Sequence, residues 1–70
     1  MNYNFVYQKL ADNIERFRKD RNLTQEVLAE KAGLHRAYFW DIEKGRNISV
    51  KTAYKIARAL GISLSDLFKF

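Results

Sequence analysis

Apolar residues recur along the chain at intervals of three and four positions, which is the spacing of a helix with one buried side. Val6, Leu10, Ile14 and Phe17 follow this spacing and predict a first helix over residues 6–21. The spacing continues in four further segments: residues 25–32, 36–44, 50–60 and a short turn after residue 63. No segment has the strict alternation that predicts a half-buried strand. The pattern predicts a compact all-α fold of five helices in one domain, residues 1–70.

The boundary between the second and third segments predicts a sharp turn. Thr24 stands before the second segment, where its hydroxyl can accept from the first free backbone N–H groups of a helix. Val27 and Leu28 then begin the apolar side of that helix. Gly33 follows this helix. A helix that stops and turns sharply needs a residue that tolerates positive φ, so the glycine predicts its end. Residues 25–44 therefore predict a helix-turn-helix unit.

The third segment has one apolar side and one chemically varied side. Because successive residues lie about 100° apart around a helix, Phe39 and Ile42 fall together on the side that we expect to be buried. The opposite arc carries Arg36, Ala37, Trp40, Asp41 and Lys44. This mixture of charged, aromatic and methyl groups suits contact with base edges in a major groove. A solvated helix surface more usually shows pairs of Glu and Lys.

Charge and composition narrow the class of partner. A formal charge of +5 on 70 residues favours a polyanion, although many small soluble domains carry such a charge. The basic residues follow one another with no acid between Glu43 and Asp66: Lys44, Arg46, Lys51, Lys55 and Arg58. The absence of cysteine excludes disulfides and fits a reducing cytoplasm. We expect no membrane span, since no apolar run approaches ~20 residues, and no secretory signal, since the opening MNYNFVYQKL is polar.

Three short motifs resemble the helix-turn-helix of phage Cro/CI-type repressors: the TQ opening, the AEKAGL turn and the IEKG ending. Within that superfamily, GLHRAYFWDIEKGRNIS is most similar to the controller proteins of restriction–modification systems. The resemblance implies a transcriptional regulator that binds a palindromic operator in double-stranded DNA as a homodimer. It also implies a partner surface in the last two helices. The loop EKGRNIS is one residue shorter than is usual in controller proteins, so the resemblance does not define its conformation.

The same resemblance assigns roles to residues outside the third segment. In the Cro/CI pattern an arginine and a glutamate at the positions of Arg18 and Glu43 form an ion pair, which would fix the angle of the recognition helix. The alternative is two solvated charges. The family's glutamine at the position of Gln25 contacts the DNA backbone and braces the recognition helix. His35 occupies a capping position that is usually serine, and we expect it to act as a local cap.

The candidate DNA contacts divide into two groups. Arg36 can bridge guanine O6 and N7, or it can contact phosphate. Ala37 suits a thymine methyl, and Trp40 either lies along a sugar or thymine or leans on its neighbours. Asp41 can accept from cytosine N4, or it can orient Arg36 without contacting DNA. The phosphate candidates are Gln25, Tyr38, Lys44, Arg46, Asn47 and Lys51.

The C-terminal part of the chain has more apolar residues than one small core can hold. The candidates for a dimer interface are Ile48, Val50, Tyr54, Leu64, Phe68 and Phe70. Residues 1–5 are expected to form a loose arm, in which Tyr3 and Phe5 pack on the core or on a second subunit.

Other classes of function find less support in the sequence. Without cysteine and with one histidine, the chain offers no catalytic set and no four-ligand metal site. We therefore expect no enzyme activity, metal, cofactor or small-molecule ligand. The competing hypothesis is a protein-interaction module similar to the helix-turn-helix antitoxins, which would need an extended tail to wrap its partner.

Overall fold

Five helices joined by short turns make up the structure, a computed structural model that describes residues 2–70. They are α1 (Phe5–Asp20), α2 (Gln25–Ala32), α3 (Arg36–Glu43), α4 (Val50–Leu60) and α5 (Leu64–Leu67). No strand occurs among these residues. The predicted all-α fold is confirmed. The first helix is shifted one residue towards the N-terminus of its predicted range, and the third ends at Glu43 with Lys44 as its cap.

The turn between α2 and α3 has the chemistry that the sequence predicts. The Thr24 hydroxyl accepts from the Val27 N–H at 3.1 Å, and Gly33 lies in the left-handed region with φ 71°. The Leu34 N–H donates to the Ala29 carbonyl at 2.8 Å, which satisfies one of the last carbonyls of α2. The α2–α3 pair is therefore a helix-turn-helix unit with a defined angle between its helices.

The core lies where α2 packs against α4 and α3, and where α1 packs against α3. Its largest fully buried side chains are Phe39, Ile14, Leu28, Ile42, Ile56 and Leu67. Burying one such side chain stabilises the fold by about 1.5–3 kcal/mol relative to leaving it exposed. The side of α3 that carries Phe39 and Ile42 is thus fixed inward, and its opposite side is left in solvent.

Two expectations about apolar residues are corrected by the packing. Val27 is exposed, because Leu28 takes the inward position on α2 and its neighbour falls about 100° away. Ile48 and Leu64 are partly buried against this chain's own core, and their place in a dimer interface stays a prediction. Phe5 begins α1 and does not belong to a loose arm.

Asn13 ties the C-terminal end of the chain to α1. Its side-chain nitrogen donates to the carbonyls of Leu67 and Lys69, both at 3.0 Å. Because Asn13 is buried, these bonds are shielded from competing water. They position α5 and the residues after it against the first helix.

Candidate nucleic-acid interface

The exposed side of α3 carries the four residues for which base contact was expected. Arg36, Ala37, Trp40 and Asp41 are all exposed, and together they are called the reading surface below. They lie opposite Phe39 and Ile42, which are almost fully buried. The helix begins at His35, whose Nδ1 accepts from the Ala37 N–H at 3.2 Å. The histidine therefore replaces the usual serine as the cap of this helix.

A buried ion pair fixes the end of α3. Arg18 donates to Glu43 through Nε at 2.8 Å and through Nη2 at 3.1 Å, and through Nη1 to the Leu23 carbonyl at 2.9 Å. Only 11% of the Arg18 side chain and 3% of the Glu43 side chain are exposed. The pair is bidentate, so it holds both the distance and the angle between α1 and α3.

Gln25 joins the same network from α2. Its side-chain nitrogen donates to Oε1 of Glu43 at 2.9 Å, so the amide braces the recognition helix. One amide hydrogen and the backbone N–H at the start of α2 remain for a further acceptor. Within residues 2–70, no buried side-chain nitrogen or oxygen is without a hydrogen-bond partner. The network is therefore a satisfied one, which is the condition under which buried charges are tolerated.

The arginine on the reading surface has an acidic partner that sequence reasoning missed. Nη1 of Arg36 donates to Oε1 of Glu26 at 2.9 Å. Asp41 instead accepts from Arg46 at 3.3 Å. The alternative in which Asp41 orients Arg36 is therefore wrong, because Asp41 bonds to Arg46 in the loop and the acidic partner of Arg36 is Glu26 on α2. The sequence signal for this contact was only that Glu26 lies in the first turn of α2, close to the turn that leads into α3.

The phosphate candidates differ in their freedom to reach DNA. Tyr38 is half-buried against the core, and the guanidinium of Arg46 lies 4.9 Å above its ring. Lys44, Asn47 and Lys51 are exposed. Among residues 2–70, neither of these two lysines forms an ion pair. Both ammonium groups are consequently available to a polyanion.

Residues 2–70 contain no group of three or more His, Asp or Glu side chains that could hold a metal ion. In the same part of the chain, every helix is too short or too polar to cross a bilayer.

The helix-turn-helix unit and the helices that support it match a known protein family. Residues 14–67 match the family model described as helix-turn-helix. The chain belongs to the helix-turn-helix family. The match begins at Ile14 in α1 and ends at Leu67 in α5, so it includes the buried ion pair, the α2–α3 turn and the whole of α4.

Relatives within the helix-turn-helix family are regulators. The chain is 44% identical over 63 residues to control protein C.SmaI of Serratia marcescens, covering 89% of this chain and 75% of that one. It is 49% identical over 59 residues to the immunity repressor protein of Bacillus phage phi105, covering 83% of this chain and 41% of the repressor. The resemblance to Cro/CI-type regulators is confirmed.

The solved structures that are similar to this chain include restriction–modification controllers. The crystal structure of the restriction–modification controller protein C.AhdI from Aeromonas hydrophila superposes with a TM-score of 0.86 at 36% identity, covering 89% of this chain and 96% of the controller. The five-helix architecture and the similarity to controller proteins are both confirmed. The expected class, a helix-turn-helix transcriptional regulator, is confirmed at that level, and these relatives are regulators rather than enzymes.

Proposed function

We propose that this helix-turn-helix protein binds a palindromic operator in double-stranded DNA as a homodimer, with α3 in the major groove, and regulates transcription as a restriction–modification controller. The observation that carries the proposal is the reading surface, which is exposed on a helix whose other side is fully buried. The bidentate Arg18–Glu43 pair supports it by holding that helix at one angle.

Base contact is assigned to the reading surface. Arg36 has an unpaired edge of its guanidinium, which matches the O6 and N7 acceptors of guanine. Ala37 presents a methyl group and permits close approach, while Trp40 offers an apolar surface to a thymine methyl or a sugar. Asp41 can accept from cytosine N4 through the oxygen that Arg46 does not use.

Phosphate contact is assigned to residues near the ends of helices. The start of α2 presents free backbone N–H groups and the positive end of the helix dipole next to Gln25. The other contributors are Tyr38, Lys44, Arg46, Asn47 and Lys51. Each phosphate neutralised by Lys44, Arg46 or Lys51 makes the slope of log affinity against log salt more negative by about 0.9.

Dimer formation is assigned to the apolar groups that the core leaves exposed. Val50, Tyr54, Phe68 and Phe70 are the members of the candidate set with the largest exposed apolar surface. Val50 and Phe68 also line an apolar groove of about 260 Å³ beside α1. Ile48 and Leu64 would contribute only their outer atoms. Two copies related by a two-fold axis would place their recognition helices about 34–36 Å apart, one turn of B-DNA.

Selection of bound sites from random duplex DNA tests the proposal, and two alanine variants then separate the kinds of contact. Arg36→Ala should cost about 1–3 kcal/mol on the selected site and relax preference at one base pair. Lys51→Ala is the control that also removes one positive charge. It should weaken binding to all sequences similarly and flatten the salt dependence. Equal weakening of selected and random DNA by Arg36→Ala would contradict its assignment to base contact.

A further inference from the structure

Glu26 places a carboxylate beside the arginine of the reading surface. Its Oε1 lies 2.9 Å from Nη1 of Arg36, and both side chains are about three-fifths exposed. Glu26 is in the first turn of α2 and Arg36 is the first residue of α3, so the contact crosses the turn of the helix-turn-helix unit. A negative charge here opposes the approach of a phosphate backbone. Glu26 therefore does not raise the general affinity for DNA, and its contact with Arg36 is the feature that could serve another role.

We propose that Glu26 is a positioning residue that holds the guanidinium of Arg36 in the orientation for reading guanine, and so sets the base preference at one position of the site. The inference rests on the proposed function. Glu26 engages only Nη1. Because the guanidinium is a rigid planar fork, fixing one nitrogen directs the edge formed by Nε and Nη2 away from the carboxylate. That edge is the one that can bridge O6 and N7.

Trp40 restricts the same group from a second side. The Cζ atom of Arg36 lies 5.9 Å from the centroid of the Trp40 ring, within the range of a cation–π contact. The guanidinium is thus held by a carboxylate on α2 and an indole one turn further along α3. An arginine restrained before binding loses less side-chain entropy when it meets a base. The two contacts thus prepare Arg36 for one geometry.

Glu26 also adds a repulsion towards phosphates, which is the same on any sequence and therefore does not alter the ratio of selected-site to random-DNA affinity. Asp41 forms a similar pair with Arg46 at 3.3 Å, so each of the two acids pairs with an arginine.

The test compares Glu26→Ala with Glu30→Ala on the site selected by the wild type. Glu30 lines the same cleft between α2 and α3 and carries the same charge, but within residues 2–70 it forms no ion pair with Arg36. Glu26→Ala should lower the ratio of selected-site to random-DNA affinity about 2- to 5-fold, which is what the loss of an exposed ion pair amounts to. Glu30→Ala should strengthen binding to both DNAs by a similar factor and leave their ratio unchanged.

A second measurement separates positioning from charge. In an Arg36→Ala background, Glu26→Ala should no longer alter preference at the base pair that Arg36 reads. Equal effects of the Glu26 and Glu30 variants, or no effect of either on the ratio, would overturn the inference while the proposed function stands. If the wild type selects no site at all, the proposed function and the inference fail together.

Discussion

At the scale of single residues, Glu43 joins three helices at one carboxylate. Arg18 from α1 donates two hydrogen bonds to it, and Gln25 from α2 donates a third. Removing a carboxylate from water is costly unless its oxygens are fully paired. The net stability from such a pair is therefore modest, and its main effect is to exclude other angles of α3. The precision of the reading surface follows from this buried contact, although none of the three residues belongs to that surface.

Removing one partner of this pair should cost more than removing both. Arg18→Met leaves the Glu43 carboxylate buried without its main partner, and Glu43→Gln leaves a buried guanidinium without its counter-charge. Each variant should lower the free energy of unfolding by about 3–5 kcal/mol. The double variant should recover part of the loss, with a coupling energy of about 1–3 kcal/mol in urea unfolding. Lys19→Met with Glu15→Gln is the matched control, since that pair is exposed and should couple by less than about 0.5 kcal/mol. Equal coupling in both cycles would mean that the Arg18–Glu43 pair behaves as solvated charges.

Sequence reasoning reached some of these residues and not others. Arg18 and Glu43 could be paired in advance because the family motif relates them across 25 positions. Glu26 could not be paired with Arg36, since their distance depends on how α2 and α3 pack and on the rotamers of two long side chains. The alternative in which Asp41 orients Arg36 was wrong for the same reason, while its contact with cytosine stays a prediction. The sequence showed a carboxylate on the correct side of α3 but not that Arg46 would draw it towards the loop.

At the scale of elements, α5 is the shortest helix and could not form alone. It has four residues, far below the length at which an isolated helix is stable in water. Ser63 and Asp66 form a reciprocal capping box, in which the Ser63 hydroxyl accepts from the Asp66 N–H at 3.0 Å and Asp66 accepts from the Ser63 N–H at 3.3 Å. Leu67 is fully buried, and the Asn13 side-chain nitrogen donates to its carbonyl at 3.0 Å. The capping box and the buried Leu67 therefore stabilise this short helix, which its length alone would not.

The pKa of Asp66 reports whether this end of the chain is formed. The hydrogen bond from Lys69 lowers the pKa of Asp66 below its ordinary value of 3.8, and those from Ser63 lower it further. A depressed folded pKa means that the stability it contributes is present above the unfolded pKa and is lost as the pH falls through the folded value. A carboxyl NMR titration should therefore show a midpoint below 3.8. Lys69→Ala should raise that midpoint, whereas Lys55→Ala, which removes an equal charge from α4, should leave it unchanged. An identical midpoint in all three proteins would contradict this account.

Helix boundaries were predictable wherever a residue with special backbone or capping chemistry stood at them. Ser49 and Gly61 bound α4, with the Ser49 hydroxyl accepting from the Thr52 N–H and Gly61 at φ 72°. The end of α3 was predicted one residue too late, because lysine has no special backbone or capping chemistry that marks a helix end. There the Lys44 N–H bonds to the Asp41 carbonyl, so the last turn tightens before Gly45.

At the scale of the whole molecule, four of the exposed aromatic rings form two pairs, one near each end of the chain. Tyr3 and Phe5 lie with ring centroids 6.5 Å apart, and Phe68 and Phe70 with centroids 6.3 Å apart. Tyr3 and Phe68 line the apolar groove together. The sequence predicted an excess of apolar groups in the C-terminal part. It could not assign which of them turn inward, because helical spacing does not distinguish a core side from a partner side.

Dimer formation through the apolar groove should depend on Phe68 and not on Trp40, an aromatic residue of the reading surface. Phe68→Asp places a charge at the groove, so sedimentation equilibrium should show at least about a tenfold weaker dimer, since burying an unpaired charge is costly. Trp40→Asp is the matched control: Trp40 and Phe68 are 40% and 38% exposed, but Trp40 belongs to the reading surface. That variant should dimerise normally and lose DNA binding, while circular dichroism should show both variants folded. Two results would contradict the homodimer: a wild type that stays monomeric at tens of micromolar with its selected DNA, or a folded Phe68→Asp protein that dimerises as tightly as the wild type.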